Sequence, residues 1–180
     1  MKKLLLLTVL LFSKTFFAQN GWNAYLAGAS LPFLSGTATS LVIDKYGNKY
    51  IGFTSSLLTS PCSVAKYNIV SGFWTYYCIA NTPILPSNRV NALAADTAGN
   101  VWIGTPLGLV KYDGTNFTVY TTTNGLPSNN ILAIHCVGTQ VYIGTYGGLT
   151  RYDGSTFYNY NTTNSLLPTD TVCSITAETP

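Results

Sequence analysis

Asn100-Val101-Trp102-Ile103-Gly104-Thr105 and Gln140-Val141-Tyr142-Ile143-Gly144-Thr145 are one strand written twice, forty residues apart. The match continues outward at the same spacing. Gly108-Leu109-Val110-Lys111-Tyr112-Asp113-Gly114 is echoed by Gly148-Leu149-Thr150-Arg151-Tyr152-Asp153-Gly154, and Phe117-Thr118-Val119-Tyr120 by Phe157-Tyr158-Asn159-Tyr160. Asn124-Gly125-Leu126-Pro127 is answered within 164–168, with one residue inserted. A looser third copy lies upstream. Asp44-Lys45-Tyr46-Gly47-Asn48-Lys49-Tyr50-Ile51-Gly52 aligns with residues 96–104, Val64-Ala65-Lys66-Tyr67-Asn68 with 109–113, and residues 73–76 with 117–120.

Each copy holds four short β-prone runs separated by turn residues. In the best copy these are residues 90–95, 101–105, 109–112 and 117–121, here lettered A to D. Asp113-Gly114 between C and D is a strong hairpin signal, because glycine accepts positive φ. Four antiparallel strands per forty residues is the period of a β-propeller blade. A β-sandwich also uses strands every 8–12 residues. It does not require Trp102 to be echoed by Tyr50 and Tyr142, or an aromatic-x-x-Tyr in every copy. The expected fold class is therefore all-β, a β-propeller of four-stranded antiparallel blades. Blades that stack face to face bury both sides of each sheet, which accounts for a charged content of only 8% where about a quarter is usual.

The expected blades cover residues 38–78, 90–121 and 131–160, preceded by a D strand at 22–25 and followed by an A strand at 171–176. That makes about 3.5 blades, fewer than the four to eight of a closed propeller. An incomplete ring leaves unpaired strand edges. Two readings follow: the chain is a fragment of a longer propeller, which is preferred, or it is a half-ring that completes itself as a homodimer.

The string Asp-x-x-Gly-Asn-x-Trp-Ile-Gly-Thr, Gly-Leu-x-Lys/Arg-Tyr-Asp, Phe-x-x-Tyr, Asn-Gly-Leu-Pro resembles the two-component regulator propeller repeat. The resemblance spans almost all of the chain after the leader and is most specific over residues 96–126. Val137 stands where the A–B turn has Asp96, and Phe53 replaces the threonine of Ile-Gly-Thr. This family occurs in extracytoplasmic sensor regions of hybrid histidine kinases and in secreted propellers. The resemblance implies a sensory or recognition role and carries no fixed catalytic set.

The N-terminus reads separately. Met1-Lys2-Lys3 followed by the apolar run 4–12 and Ala18-Gln19 has the form of a secretory signal peptide over 1–19. Nine helical residues rise only about 14 Å, too short to span a bilayer. The implied localisation is secreted or periplasmic. Without Lys2, Lys3 and Lys14, six of the nine basic residues remain against six acidic ones. A neutral chain has no electrostatic footprint for nucleic acid or anionic lipid.

The search for chemistry finds little. Asp44, Asp96, Asp113, Asp153 and Glu178 fall on repeated turn slots, where aspartate bonds its own backbone; Asp170 alone has no such slot. His135 is the single histidine and sits on an A strand, the innermost of a blade, with Val42 and Ala94 as its equivalents. It could contact a ligand in the channel. Lys66, Lys111 and Arg151 share one slot on strand C. They read either as a basic row for an anionic ligand or as stems packed on aromatic rings with wet heads. These four are the candidate ligand-binding residues. Cys62 and Cys78 flank the first C–D hairpin and are a candidate disulfide in an oxidising compartment, closing a loop worth about 3 kcal/mol. Cys136 and Cys173 read as unpaired. No catalytic or metal-ligating set is expected, and no cofactor. The reading is a non-catalytic, extracytoplasmic recognition module for a small molecule or glycan. A propeller lyase or hydrolase using His135 and Asp170 is the alternative.

Overall fold

The computed structural model describes residues 37–54 and 62–177. The leader expected at 1–19 and the D strand expected at 22–25 lie outside the described residues. Within these, the chain forms twelve strands in three sheets. The first sheet contains β1 (Thr37–Ile43), β2 (Lys49–Thr54), β3 (Cys62–Tyr67) and β4 (Trp74–Cys78). The second contains β5 (Ala92–Ala95), β6 (Val101–Thr105), β7 (Gly108–Tyr112) and β8 (Phe117–Tyr120). The third contains β9 (Ile131–Val137), β10 (Gln140–Thr145), β11 (Gly148–Tyr152) and β12 (Phe157–Tyr160). Each sheet is an antiparallel meander in which chain order is spatial order. These are propeller blades, and the fold is all-β.

The turns explain the local motif. In the A–B turn of the first blade, Asp44 Oδ1 accepts the Tyr46 and Asn48 N–H groups at 2.9 Å. Its Oδ2 accepts Asn48 Nδ2 at 2.9 Å and the Tyr50 hydroxyl at 3.2 Å. Asp96 repeats the arrangement with Asn100 N, Asn100 Nδ2 and Trp102 Nε1, at 2.8, 2.7 and 2.9 Å. The aspartate, asparagine and aromatic residue of the repeat are thus one hydrogen-bonded unit, with both aspartates and both aromatic rings buried. At the B–C turn, Thr105 Oγ1 donates to Gly108 O at 2.8 Å and Thr145 Oγ1 to Gly148 O at 3.0 Å. The threonine of Ile-Gly-Thr therefore closes a tight hairpin. At the C–D turn, Gly114 and Gly154 take φ of 100° and 105°, the left-handed region that glycine occupies without strain.

Successive blades meet in a repeated seam. The glycine of each B strand lies under the first apolar residue of the next repeat. A Cβ at Gly52 would come within 2.6 Å of Val90 Cγ1, and one at Gly104 within 2.7 Å of Ile131 Cγ2; at Gly144 it would run into the Val172 backbone and side chain. Val90 and Ile131 are completely buried. Farther out, aromatic rings close the seam. Tyr50 and Tyr77 of the first blade pack on Tyr112 and Phe117 of the second. Trp102 and Tyr120 of the second pack on Tyr152 and Phe157 of the third. Among the described residues, the two hydrophobic cores are these two seams.

Two expectations need correction. The register pairs Tyr67 with Trp74, as Tyr112 pairs with Phe117. The Phe-x-x-Tyr slot of the first blade is therefore Trp74–Tyr77, not residues 73–76. The preceding turn has six residues where the others have four, so Phe73 falls outside the strand and is 74% exposed. Residues 171–176 do not form a strand. Val172 N–H donates to Thr145 O at 3.0 Å, as Val90 N–H donates to Phe53 O at 2.9 Å. Beyond that contact, no described segment lies alongside to share a ladder, and a strand exists only with a neighbour.

Gly104→Ala is expected to destabilise the fold by about 1–3 kcal/mol through overpacking. Combined with Ile131→Ala, its cost should fall well below the sum of the two single changes. Urea denaturation of the three variants measures this; strict additivity would contradict the seam.

Candidate functional site

The structure does not gather the candidate ligand-binding residues. His135, Tyr142, Arg151 and Tyr158 form one cross-strand row of the third blade. Tyr142 separates the histidine from the arginine by two strand spacings, about 10 Å. Lys66 lies in the corresponding row of the first blade beside Tyr50, and Lys111 in that of the second beside Trp102. Each cation of the strand-C slot rests near a ring. Lys66 Nζ is 5.6 Å from the Tyr50 centroid and 5.3 Å from Tyr112, Lys111 Nζ 5.7 Å from Trp102, and Arg151 Cζ 4.4 Å from Tyr158. These are cation–π distances. The row is occupied with its own aromatic neighbours.

Asp170 does have a repeated slot. Asn88 Oδ1 accepts Ile79 N–H at 3.2 Å, Asn129 Oδ1 accepts Thr122 N–H at 2.8 Å, and Asp170 Oδ1 accepts Thr162 N–H at 2.7 Å. It tethers a blade exit to the next entry, on a segment separate from the His135 row. Among the described residues, no three His, Cys, Asp or Glu side chains cluster.

Cys62 and Cys78 face each other directly across β3 and β4 and are joined as a disulfide, with Cα atoms 4.0 Å apart. Cys136 is half-buried, and burial pushes its thiol up to about 12; Cys173 is exposed. Two turn aspartates move the other way. The N–H groups of Asn116 and Thr115 lower the Asp113 carboxyl, and those of Thr156 and Ser155 lower that of Asp153 to about 2.

A different place brings several repeats together. A cavity of about 380 Å³ is lined by Thr39, Arg89, Asn91, Pro106, Asn130, Leu132, Tyr146 and Cys173. It lies where the innermost strands begin. Thr39, Asn91, Leu132 and Cys173 occupy the same slot of successive repeats, the last three one residue beyond the position that docks on the glycine. Arg89 and Asn130 share the slot before it, and Pro106 and Tyr146 share one in the B–C turn. The entry to each slot is rigid. Ser87 Oγ accepts Arg89 N–H at 3.0 Å and Ser128 Oγ accepts Asn130 N–H at 3.2 Å. Thr39 Oγ1 donates to Val90 O at 2.7 Å, and Asn91 Nδ2 to Ile131 O at 2.7 Å. Among the described residues, no carboxylate lines the cavity. Motif reading missed it because its residues belong to no motif; the signal was that these slots differ between copies whose other slots agree.

Residues 84–106 match the family model described as the two component regulator propeller. They run from the entry to the second blade through β6. The extracellular domain of BT3049 from B. thetaiotaomicron, named as a hybrid two component system, is 21% identical. It superposes with a TM-score of 0.59 over 77% of this chain and 18% of its own length. The extracellular domain of BT4673 from the same organism is 19% identical, with a TM-score of 0.39 over 70% of this chain and 21% of its own. PorZ, a surface component of the type-IX secretion system of Porphyromonas gingivalis, is 13% identical, with a TM-score of 0.40 over 77% and 29% of the two chains. This chain thus spans less than a fifth of the BT3049 domain, and that likeness shows the propeller fold. No curated protein matches the chain. Among the described residues, no helix is long and apolar enough to cross a membrane.

Two outcomes follow from the local chemistry. Iodoacetamide on the native protein at pH 8 should modify Cys173 and spare Cys136, as read by peptide mass spectrometry; equal modification would contradict the burial of Cys136. The lowered Asp153 carboxyl stabilises the fold above the unfolded value near 3.9, and that contribution disappears as pH falls through about 2. Asp153→Asn should therefore lower Tm at about pH 5–8 and flatten the fall in Tm between about pH 4 and 2, so that the two proteins converge at the acid end.

Proposed function

We propose that this chain is a non-catalytic, extracytoplasmic recognition module of the sensor type, which takes a small extracellular ligand at the cavity bounded by Arg89, Asn130 and Tyr146. Its natural setting is secreted or periplasmic, as part of a larger sensor or secreted protein. The match of residues 84–106 to the regulator propeller and the fold shared with an extracellular sensor domain support this reading.

One observation carries it. In a repeat protein, slots that meet the same surroundings in every copy take the same residue: Gly52, Gly104 and Gly144 at the seam, Tyr67, Tyr112 and Tyr152 on strand C. The cavity slots hold Arg89 against Asn130, Pro106 against Tyr146, and Leu132 against Cys173. Blade packing leaves them free to differ. They converge from several repeats on one concave surface, the usual form of a ligand site on a rigid scaffold. A glycan is one class of ligand that fits. Tyr146 is 55% exposed, and an accessible ring beside amide groups supplies a stacking face with hydrogen-bond partners. No observation favours the hydrolytic alternative, since His135 and Asp170 lie on different segments with different partners.

A neutral glycan and metabolite panel, followed by thermal shift, tests this. A ligand that raises Tm for the wild type and for Lys111→Ala, but not for Tyr146→Ala or Asn130→Ala, is the expected result. Binding that ignores both cavity substitutions would overturn the assignment.

A further inference from the structure

Resting on that reading of the cavity, we infer that its ligand carries a singly charged anionic group, a carboxylate, held by the Arg89 guanidinium.

Six cations remain beyond the leader, all within the described residues. Five are engaged. Lys45 Nζ donates to Ala98 O at 2.5 Å and lies 4.9 Å from the Tyr46 ring. Lys49 Nζ lies 5.4 Å from the Tyr67 ring. Lys66, Lys111 and Arg151 rest on the rings described above. Among the described residues, Arg89 is the one cation whose head group has neither ring nor acceptor, and it lines the cavity. An exposed guanidinium can be satisfied by water, so exposure alone says little. Three further facts give Arg89 its meaning.

The scaffold does not ask for a charge there, because the same slot holds Asn130 and Thr171 in the following repeats. The root of the side chain is anchored on both sides, by the Ser87 hydrogen bond to its own N–H and by Val90, which is completely buried against Gly52. Among the described residues, the cavity wall holds no Asp or Glu to neutralise it, and Asp170 spends its carboxylate on Thr162 N–H. An uncompensated, anchored, planar fork of donors is suited to a carboxylate, which it can grip through two parallel hydrogen bonds. One cation also matches one negative charge; a dianion would enter half-compensated. Tyr146 and Asn130 are left to contact the uncharged part of the ligand.

The test uses the full chain after leader removal and two matched probe pairs, glucuronate against glucose and benzoate against benzamide, at equal millimolar concentration in low salt. Binding is read from amide chemical shifts of Asn91, Asn130 and Tyr146. At least one acid should bind about tenfold or more tightly than its neutral partner. Its affinity should fall with added salt, drop about tenfold or more in Arg89→Gln, recover partly in Arg89→Lys, and be unchanged in Arg151→Gln. Arg89 is exposed, so equal unfolding midpoints would show that Arg89→Gln folds normally. Equal binding of acid and neutral partner, or an Arg89→Gln protein that binds as the wild type does, would overturn the inference while leaving the cavity as a recognition site. Failure of both acids would overturn it too; the recognition reading falls only if the neutral panel also finds nothing.

Discussion

The structure depends on a single contact made over and over: an apolar side chain at the start of one repeat seated on a bare glycine in the repeat before it. Gly52 receives Val90, Gly104 receives Ile131, and Gly144 receives Val172. Only a missing Cβ lets the chain segments approach this closely. From that point the sheets diverge, and the widening gap is filled by rings, Tyr50 and Tyr77 against Tyr112 and Phe117, then Trp102 and Tyr120 against Tyr152 and Phe157. The wedge of small-then-large side chains is what makes a blade need a neighbour. Because both faces of the middle sheet are covered, a strand such as Val101–Thr105 is buried at every position, and there is little surface left for charge.

The motif residues are largely consumed by this scaffold. Asp96 exists to hold Asn100 and Trp102 in place, Thr105 to close its hairpin, and Lys111 to lie near the Trp102 ring. Their recurrence reflects folding rather than chemistry. The slots the motif does not specify are free to differ between copies, and it is these that line the cavity proposed for recognition.

The same division explains what was legible in the sequence. Strands, turns and blade period could be read because each has a local cause: Asp-Gly turns, an Ile-Gly-Thr hairpin, an aromatic echo every forty residues. The register of β4 could not, because the first C–D turn is longer by two residues and Phe73 mimics the aromatic that Trp74 supplies. Residues 171–176 have the pattern of an inner strand, but pattern does not provide the partner that a ladder requires. Asp170 looked solitary because its equivalents are the asparagines Asn88 and Asn129, which accept the same bond with a different side chain. The cavity was the least legible feature. Its residues come from separate repeats, and only the stacking of blades brings Arg89 and Tyr146 to one surface.

The account stands on the claim that no blade can hide its apolar faces by itself. An isolated peptide covering residues 80–127 puts this to the proof most directly, by its proton NMR dispersion and far-ultraviolet circular dichroism. The seam predicts a spectrum without dispersed methyl or amide resonances and no cooperative melt. A dispersed spectrum with a sharp thermal transition, from a monomeric peptide, would contradict it.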